Sequence, residues 1–259
     1  MATSHERAHH DDANNVTYQR CLYAYEYAKD YVRDKQVLDI GCGLGYGTSV
    51  MARYAREITG VDYDEGTVES NIKKYVSQSN MKFVRGSVPP LDFPDGSFDV
   101  VTAFQFIEHI HRRPEMIKEC LRVLRKGGVL LITTPNIKKS LARNPFHVHE
   151  YTFAEMRQEV GSIFSSFELL GLKGNEKVNA YYAANGRWVR AILKLDILGL
   201  HKILPSGLLV KPYNLITNIM RKSLMRSNSQ TTGISLNDFS LDKAGLDEAL
   251  DIYVMASKN

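Results

Sequence analysis

The stretch VLDIGCGLGYG, Val37 to Gly47, decides the fold of this chain. An apolar strand that includes Asp39 runs into a loop in which every second residue is glycine. Glycine lets the backbone turn sharply and approach a ligand closely, and the helix that follows offers free N–H groups. The stretch therefore predicts a strand, loop and helix that bind a nucleotide-type ligand. A plain tight turn is the alternative for such a loop taken alone.

The spacing of the glycines distinguishes between nucleotide ligands. The dinucleotide fingerprint G-x-G-x-x-G would need a third glycine at position 46 or 48, and the chain has none there. The register fits G-x-G-x-G instead, so we predict cofactor contacts at Gly41, Gly43 and Gly45. The carboxylate of Asp39 would repel a pyrophosphate but attract an ammonium group. These residues favour S-adenosylmethionine (SAM), which carries an amino group and no pyrophosphate.

A second acidic residue lies at the end of the next strand. The segment EITGVDYD presents Asp62 about 20 residues beyond the glycines, with Tyr63 beside it. A carboxylate at this place can accept hydrogen bonds from both ribose hydroxyls, as it does in SAM and NAD proteins. We therefore assign Asp62 and Tyr63 to the cofactor site.

The rest of the chain alternates strand and helix patterns, which favours an α/β fold. A turn at Pro94, Asp95 and Gly96 precedes the fourth strand, and the pair Gly127 and Gly128 precedes the fifth. The predicted strands after the second are MKFVRGSV, FDVVTAFQF, VLLITTPN, SFELLGLKG and ALDIYVMASK.

Taken together, the segments from Gln36 to Asn136 resemble the class I SAM-dependent methyltransferases, with the motifs in the right order. The resemblance implies a Rossmann-like, seven-stranded, mostly parallel sheet with an antiparallel last strand, and SAM as the cofactor. It also implies cofactor contacts at Ser87, Val88 and Gln105. Ser87 stands where the family commonly has an acidic residue that reads the adenine amine.

The same resemblance divides the chain into four parts. Residues 1–35 would form an N-terminal tail and helix over the cofactor site, and residues 36–174 the SAM-binding core. Residues 175–247 would form a helical, basic and apolar cap, and residues 248–259 the last core strand. In the N-terminal part, Tyr18, Arg20 or Tyr23 could close over the methionine end of SAM, with Arg20 pairing with its carboxylate. A tyrosine-lined packing face is the alternative.

The predicted cap is strongly basic. The segment from Arg187 to Arg226 contains one acidic residue, Asp196, and eight basic residues: Arg187, Arg190, Lys194, Lys202, Lys211, Arg221, Lys222 and Arg226. A basic, apolar segment containing Trp188 can lie on an anionic membrane surface or recognise a lipid-linked or phosphorylated acceptor. The alternative is a helical cover whose apolar face packs on the core while its charges are solvated.

Composition sets broader limits. At 259 residues and 44% apolar content, the chain can bury one sizeable core. Three cysteines without metal-type spacing indicate a reducing compartment, and no apolar run reaches the roughly 18 residues that span a bilayer. These features predict a cytoplasmic protein, with peripheral contact at the inner membrane face as a possible addition. A net charge of +4 does not by itself indicate an RNA partner.

The segment AFQFIEHI after the fourth strand points to a hydroxyl acceptor. It lacks the D/N-P-P-Y/F pattern of many base-amine methyltransferases and the cysteine expected for a pyrimidine carbon. A hydroxyl acceptor needs a general base or a metal, and Glu108 and His109 are candidates. His147 and His149 follow the fifth strand, before a helix that we expect to be capped by Thr152 with Glu155.

These two segments resemble the metal-dependent small-RNA 2′-hydroxyl methyltransferases and the ubiquinone-pathway O-methyltransferases. In those families an E-x-x-E-H run and a later histidine hold a divalent cation. Glu108 and His109 match the E-H, His147 matches the later histidine, and Gln105 replaces the first glutamate. The resemblance implies Mg²⁺ or Mn²⁺ on Glu108, His109 and His147. A metal-free histidine base at His109 or His147 and purely structural roles are the alternatives.

A looser resemblance concerns the acceptor. The GYG loop, the I-E-H run, the TPN after the fifth strand and the NPFH that follows are similar to methyltransferases of bacterial surface-glycan and glycolipid pathways. This implies O-methylation of a saccharide or lipid-linked saccharide hydroxyl. A quinol or other phenol ranks next and an RNA 2′-hydroxyl third. An NAD-linked oxidoreductase and a non-catalytic SAM-binding protein remain as readings from other classes.

Overall fold

Short apolar runs form the strands of one central sheet. Over the described residues (15–142, 144–194, 207–211, 213, 215–216 and 233–259) of this computed structural model, the sheet has eight strands. They are β1 (Gln36–Ile40), β2 (Glu57–Asp62), β3 (Met81–Arg85), β4 (Phe98–Phe104), β5 (Leu124–Pro135), β6 (Ser166–Gly174), β7 (Phe239–Asp242) and β8 (Asp251–Ser257).

Helices connect these strands and cover both faces of the sheet. They are α1 (Asn15–Tyr27), α2 (Lys29–Val32), α3 (Tyr46–Ala52), α4 (Glu65–Lys74), α5 (Arg113–Val123), α6 (Phe153–Gly161) and α7 (Glu176–Leu193). The N-terminal helix expected from the tyrosine-rich segment is confirmed, although it breaks at Ala28 between α1 and α2. The capping box at Thr152 and Glu155 is also confirmed at the start of α6.

The strand order is β3-β2-β1-β4-β5-β8-β6-β7. Strands β1 to β5 pair in parallel, whereas β8 runs antiparallel to both β5 and β6. The predicted α/β class and the antiparallel last strand are confirmed, but the predicted number of seven strands is wrong. The additional strand, β7, lies inside the range assigned to the helical cap and pairs with Gly171–Gly174 of β6. It satisfies backbone groups that β6 would otherwise expose at the edge of the sheet.

The core lies on both faces of the sheet, because side chains of a strand alternate in direction. In β4, Val101 and Ala103 belong to the apolar cluster that α5 and α6 cover. Val100 and Phe104 belong to the cluster on the opposite face, which α1, α2 and α3 cover. The sheet is thereby held rigidly between two helical layers, and its carboxyl edge is left to the loops.

The region after β6 begins with α7, whose first turn is capped by Asn175. The Asn175 side chain accepts from the N–H groups of Lys177 and Val178, and Val178 packs with Phe239 of β7. Of the predicted cap, residues 195–206 and 217–232 lie outside the described residues, as do the cationic side chains at 202, 221, 222 and 226 and the tail 1–14. Among the residues that are described, no helix is long and apolar enough to cross a membrane.

Candidate active site

The glycine loop after β1 adopts backbone angles that few other residues tolerate. Gly41, Gly43 and Gly45 have φ values of 70°, 50° and 73°. The N–H of Gly41 donates to the carbonyl of Val61 at 2.8 Å, so the loop turns back over the end of β2. A Cβ at Gly41 would lie 2.2 Å from the ring of Phe106. The loop therefore needs glycine both for its turn and for its close packing.

Asp39 lies beneath this loop and is fully buried. It accepts a hydrogen bond from the Thr48 hydroxyl at 2.6 Å and one from the Thr102 hydroxyl at 2.7 Å. Burial raises the pKa of Asp39 to about 6, although both threonine bonds act in the opposite direction. The carboxyl thus ties α3 to β1 and β4. Its predicted contact with a ligand ammonium stays a prediction.

Asp62 ends β2 and holds the glycine loop from the other side. Its Oδ2 accepts from the Gly43 N–H at 3.0 Å, and its Oδ1 accepts from the Asp64 N–H at 3.0 Å. Asn71 fixes the same loop, because its side-chain amide donates to the Gly43 carbonyl at 2.7 Å. Tyr63, next to Asp62, is 52% exposed, and its predicted contact with a ligand stays a prediction. The two predicted elements, glycine loop and acid, are therefore in direct contact.

A cavity of about 180 Å³ opens beside Asp62 at the ends of β2 and β3. Ser87, predicted to face the adenine ring, lines it together with Val61 and Phe93. Val88, the other predicted contact, follows Ser87 and packs against the main apolar cluster. Asp92, which belongs to no motif of the sequence, also lines the cavity.

Gln105 directly follows β4 and has a φ of 51°, which is unusual for a residue other than glycine. Its backbone N–H donates to the Thr133 carbonyl at 2.9 Å, and its side-chain nitrogen lies 3.3 Å from the Thr133 hydroxyl oxygen. The side chain also hydrogen-bonds to Asp251 and lowers the pKa of that buried carboxyl, which burial raises overall. A glutamate at position 105 would place a second carboxylate against Asp251.

Asp251 is the first residue of β8 and pairs with α1. The Nε of Arg20 lies 3.2 Å from Asp251 Oδ2, and another guanidinium nitrogen donates to the Tyr182 hydroxyl at 3.1 Å. Burial opposes the charge on Arg20, but Asp251 raises its pKa overall. The expected contact of Arg20 with a ligand carboxylate remains a prediction. Its pairing with Asp251 could not be foreseen, since 231 positions separate the two in the numbering.

Glu108 and His109 lie in a 3₁₀ turn, Ile107–His109, directly after β4. Glu108 is 1% exposed and accepts from the Thr134 hydroxyl at 3.0 Å. Burial raises the pKa of Glu108 to about 7, while the nearby His147 acts to lower it. A carboxyl group tuned to this range can gain or lose a proton near neutral pH.

His147 reaches this turn from a remote loop, residues 144–150. The N–H groups of Val148 and His149 donate to the carbonyl of Glu108 at 2.7 and 3.2 Å. The Nδ1 of His109 lies 3.0 Å from the Phe146 carbonyl oxygen, and the rings of His109 and His147 meet edge to face at 5.0 Å. The loop is therefore fixed to the 3₁₀ turn through backbone bonds. His149 contacts the Tyr151 ring instead.

Glu108, His109 and His147 together could hold a cation. Each offers one ligand atom, and the three atoms lie within 4.8 Å of one another. Two atoms that are each about 2.1 Å from one ion are at most about 4.2 Å apart, so sub-ångström shifts would close the group. One carboxylate and two imidazoles suit a divalent cation such as Mn²⁺, and Mg²⁺ less well because it prefers oxygen. The residues fit the metal that the sequence resemblance implied.

The sequence is similar to those of known methyltransferases. A sequence family described as "Methyltransferase domain" matches residues 38–132. A probable S-adenosylmethionine-dependent methyltransferase of Mycolicibacterium smegmatis is 39% identical over 149 residues, which cover 56% of this chain and 57% of the relative. A ubiquinone biosynthesis O-methyltransferase of Coxiella burnetii is 30% identical over 107 residues, 40% of this chain and 45% of that protein. The chain thus spans about half the length of these curated relatives.

Solved structures share the fold at low sequence identity. The crystal structure of the [4+2]-cyclase SpnF superposes with a TM-score of 0.59 and 16% identity, covering 99% of this chain and 85% of that one. This likeness concerns the fold alone. The sequence similarity is therefore to SAM-dependent methyltransferases, over a part of the chain that includes the glycine loop and Asp62.

Proposed function

We propose that the protein transfers the methyl group of SAM to a hydroxyl oxygen of a saccharide, a lipid-linked saccharide or a related small molecule. The observation that carries this proposal is the convergence of Glu108, His109 and His147 beside the loop that follows β4. The glycine loop and Asp62 lie at the same carboxyl edge of the parallel strands. Ligands of open α/β sheets bind at this edge.

The chemistry requires alignment and the removal of one proton. The acceptor oxygen attacks the methyl carbon in line with the breaking carbon–sulfur bond, whose electron pair remains on sulfur as a thioether. The hydroxyl proton passes to a base before or during the transfer. Because the sulfonium is already activated, the protein contributes positioning, exclusion of water and this proton acceptor.

The cluster of Glu108, His109 and His147 provides the proton acceptor. His109 and His147 each present one ring nitrogen to Glu108, whose pKa burial raises to about 7. A divalent cation on these three residues would supply the positive charge that lowers the pKa of a bound hydroxyl. Without a cation, the imidazole of His109 or His147 would take the proton itself. Both versions use the same residues and the same hydroxyl acceptor.

On the cofactor side, we assign the glycines at 41, 43 and 45 and Asp62 to the methionine and ribose parts of SAM. Tyr63, Ser87 and Val88 would surround the adenine ring, and of these three Ser87 lines the cavity at the ends of β2 and β3. Asp39 and Gln105 complete the assigned set. Asp39 supports the glycine loop through its hydrogen bond with Thr48, and Gln105 hydrogen-bonds to Asp251.

The exposed face of α7 is the proposed acceptor surface. Arg187, Arg190 and Lys194 are exposed at helical spacing, and Trp188 beside them is 38% exposed. A Cβ at Gly186 would lie 3.3 Å from Leu141, so α7 packs on the segment between β5 and the loop that carries His147. A cationic and aromatic face at this place suits an anionic or membrane-borne acceptor. It also supports peripheral contact of the protein with the inner membrane face.

A quinol or other phenol is the second candidate acceptor. The observation that favours it is the similarity to the Coxiella relative, which is named for ubiquinone biosynthesis. An RNA 2′-hydroxyl ranks third, and a SAM-binding protein without turnover is the remaining alternative. The fold likeness to a cyclase shows that this architecture also serves other reactions.

Labelled SAM incubated with separate fractions of cell-envelope lipids, glycans, quinols and RNA tests the proposal. We expect label in the glycan or glycolipid fraction, stable to mild base as an ether, and its loss with Glu108→Ala. Chelation should suppress transfer and Mn²⁺ should restore it if a cation takes part. Transfer only to quinols would replace the saccharide acceptor, and transfer to no fraction despite SAM binding would favour the non-catalytic alternative.

A further inference from the structure

Glu150 and Asn144 flank His147 in the loop that approaches Glu108. The Nδ1 of His147 lies 2.7 Å from Glu150 Oε1, and its Nε2 lies 2.9 Å from the Asn144 side-chain nitrogen. Neither flanking residue was singled out by the sequence. Both ring nitrogens of His147 thus have a polar partner, and the chemistry of those partners determines where the ring proton lies.

The orientation of the Asn144 amide is fixed by the backbone. The N–H of Phe146 donates to Asn144 Oδ1 at 3.0 Å. An N–H group can only donate, so the amide oxygen must face Phe146 and the amide nitrogen must face His147. Asn144 therefore donates to His147 Nε2, which must carry a lone pair.

The opposite side of the ring leads to the same assignment. Glu150 is mostly buried, and its Oε1 lies within hydrogen-bond distance of the Nδ1 nitrogen, on the side of the ring away from Asn144. A carboxylate only accepts hydrogen bonds, so the His147 proton lies on Nδ1. Two independent partners thus select one tautomer of the neutral imidazole.

We infer that Glu150 is a positioning residue that holds His147 with its proton on Nδ1 and its lone pair on Nε2. The inference rests on the proposed function, in which Nε2 either binds a cation or accepts the acceptor proton. Carboxylates that hold the far nitrogen of a ligating histidine fix its tautomer and its ring orientation. Asn144 keeps the Nε2 lone pair occupied until a cation or a proton takes its place.

The tautomer can be measured without acceptor, cation or turnover. Long-range ¹H–¹⁵N correlation spectra of the full chain labelled in histidine distinguish the two neutral forms. They would be recorded at about pH 8, above the ordinary histidine pKa of about 6.5. The His147 signals are assigned by their absence in His147→Gln. We expect the Nδ1–H tautomer in the parent protein.

Two variants of Glu150 separate tautomer selection from packing. Glu150→Gln keeps an oxygen that can accept from Nδ1–H, so the tautomer should persist. Glu150→Ala removes that acceptor and leaves Asn144 as the partner that favours the Nδ1–H form, so the spectrum should show a mixture of both forms. The signals of His109 and His149 in the same spectra are internal controls, and the exposed Glu115→Ala is the matched control variant. If Glu150→Ala does not fold, the His147 tautomers of the parent and of Glu150→Gln test the inference.

Calorimetry with Mn²⁺ in the absence of SAM gives a second readout. Glu150→Ala should bind Mn²⁺ about 10- to 100-fold more weakly than the parent, and Glu150→Gln should lie between them. An Nε2–H tautomer in the parent, or an unchanged tautomer in folded Glu150→Ala, would overturn the inference. Absence of Mn²⁺ binding in a parent that shows the Nδ1–H form would instead remove the cation from the proposed function and leave this inference intact.

Discussion

The cofactor side and the acceptor side of the proposed active site are built from different kinds of segment. The cofactor side comes from successive strand ends of one continuous stretch, from Asp39 to Gln105, in which the glycine loop and Asp62 touch directly. The acceptor side joins a turn after β4 to a loop near residue 147, to α1 and to the start of β8. Of these four segments, the turn after β4 lies inside the family match, residues 38–132, and the other three lie outside it.

Because the two sides are built from different segments, residues on one side can change without altering the geometry of the other. On the cofactor side, one change to the loop alters its contact with Asp62, so the binding geometry depends on a few adjacent residues. On the acceptor side, backbone hydrogen bonds fix the 144–150 loop to Glu108, while α7 approaches from outside. If α7 and this loop contact the acceptor as proposed, substitutions there should change acceptor choice without disturbing the cofactor geometry. The following predictions test that separation.

The largest effect is expected in the glycine loop. Gly43→Val places a β-branched side chain at a φ of 50° and should weaken SAM binding by about 100-fold or more. Calorimetric titration with SAM measures the effect. Gly66→Ala in α4 is the matched control, because a Cβ there meets nothing within 4 Å and the affinity should not change. Affinity of the valine variant within about threefold of the parent would mean that the loop does not form the cofactor site.

A smaller effect is expected on stability at Asp39. Its folded pKa of about 6 lies above the unfolded value of about 3.9, so the folded state holds the proton more tightly. Stability is therefore lost as pH rises from about 4 to about 6, by about 3 kcal/mol, and stays lower above that range. Asp39→Asn should lack this contribution.

The measurement for Asp39 is the pH dependence of the free energy of unfolding by denaturant, compared between variant and parent. The exposed Asp30→Asn serves as control and should keep the parent slope. A difference between Asp39→Asn and the parent that is independent of pH would show that Asp39 is not a buried, proton-binding anchor of the loop.

The smallest effect is expected at the proposed acceptor surface. Charge reversal at Arg187, Arg190 and Lys194 should leave SAM affinity unchanged and weaken binding to vesicles that contain anionic lipid. At low salt we expect a loss of about tenfold that shrinks as salt screens the charges. Reversal of Lys35 and Lys126, on other exposed surfaces, is the control. Equal vesicle binding by parent and variant would favour the alternative, in which α7 covers the core and its charges are solvated.

Local sequence patterns were sufficient for the cofactor side. The glycine loop, the acid at the end of β2 and the strand alternation each depend on residues close in sequence, and so does the capping box at Thr152. The antiparallel last strand was implied by the family resemblance instead. The eighth strand escaped prediction because β7 has only four residues and owes its pairing to the free edge of β6. No four-residue pattern separates such a strand from a loop.

On the acceptor side, the sequence predicted the residue types but not their contacts. Glu108, His109 and His147 were singled out by their types, but their proximity depends on bonds from Val148 and His149 to the Glu108 carbonyl. The pairing of Arg20 with Asp251 and the orientation of His147 by Glu150 and Asn144 arise from tertiary contacts and side-chain geometry. Such contacts leave no periodic signal in the sequence.

The central claim is that SAM binding and acceptor activation belong to separate residues. Its most direct test measures SAM affinity and labelled methyl transfer side by side in Asp62→Ala and His147→Ala. We predict that Asp62→Ala binds SAM at least about tenfold more weakly, because hydrogen bonds to charged groups contribute about 1.5–3 kcal/mol each. His147→Ala should keep the parent affinity and lose transfer. Full transfer by His147→Ala, or an equal loss of SAM affinity in both variants, would contradict the account.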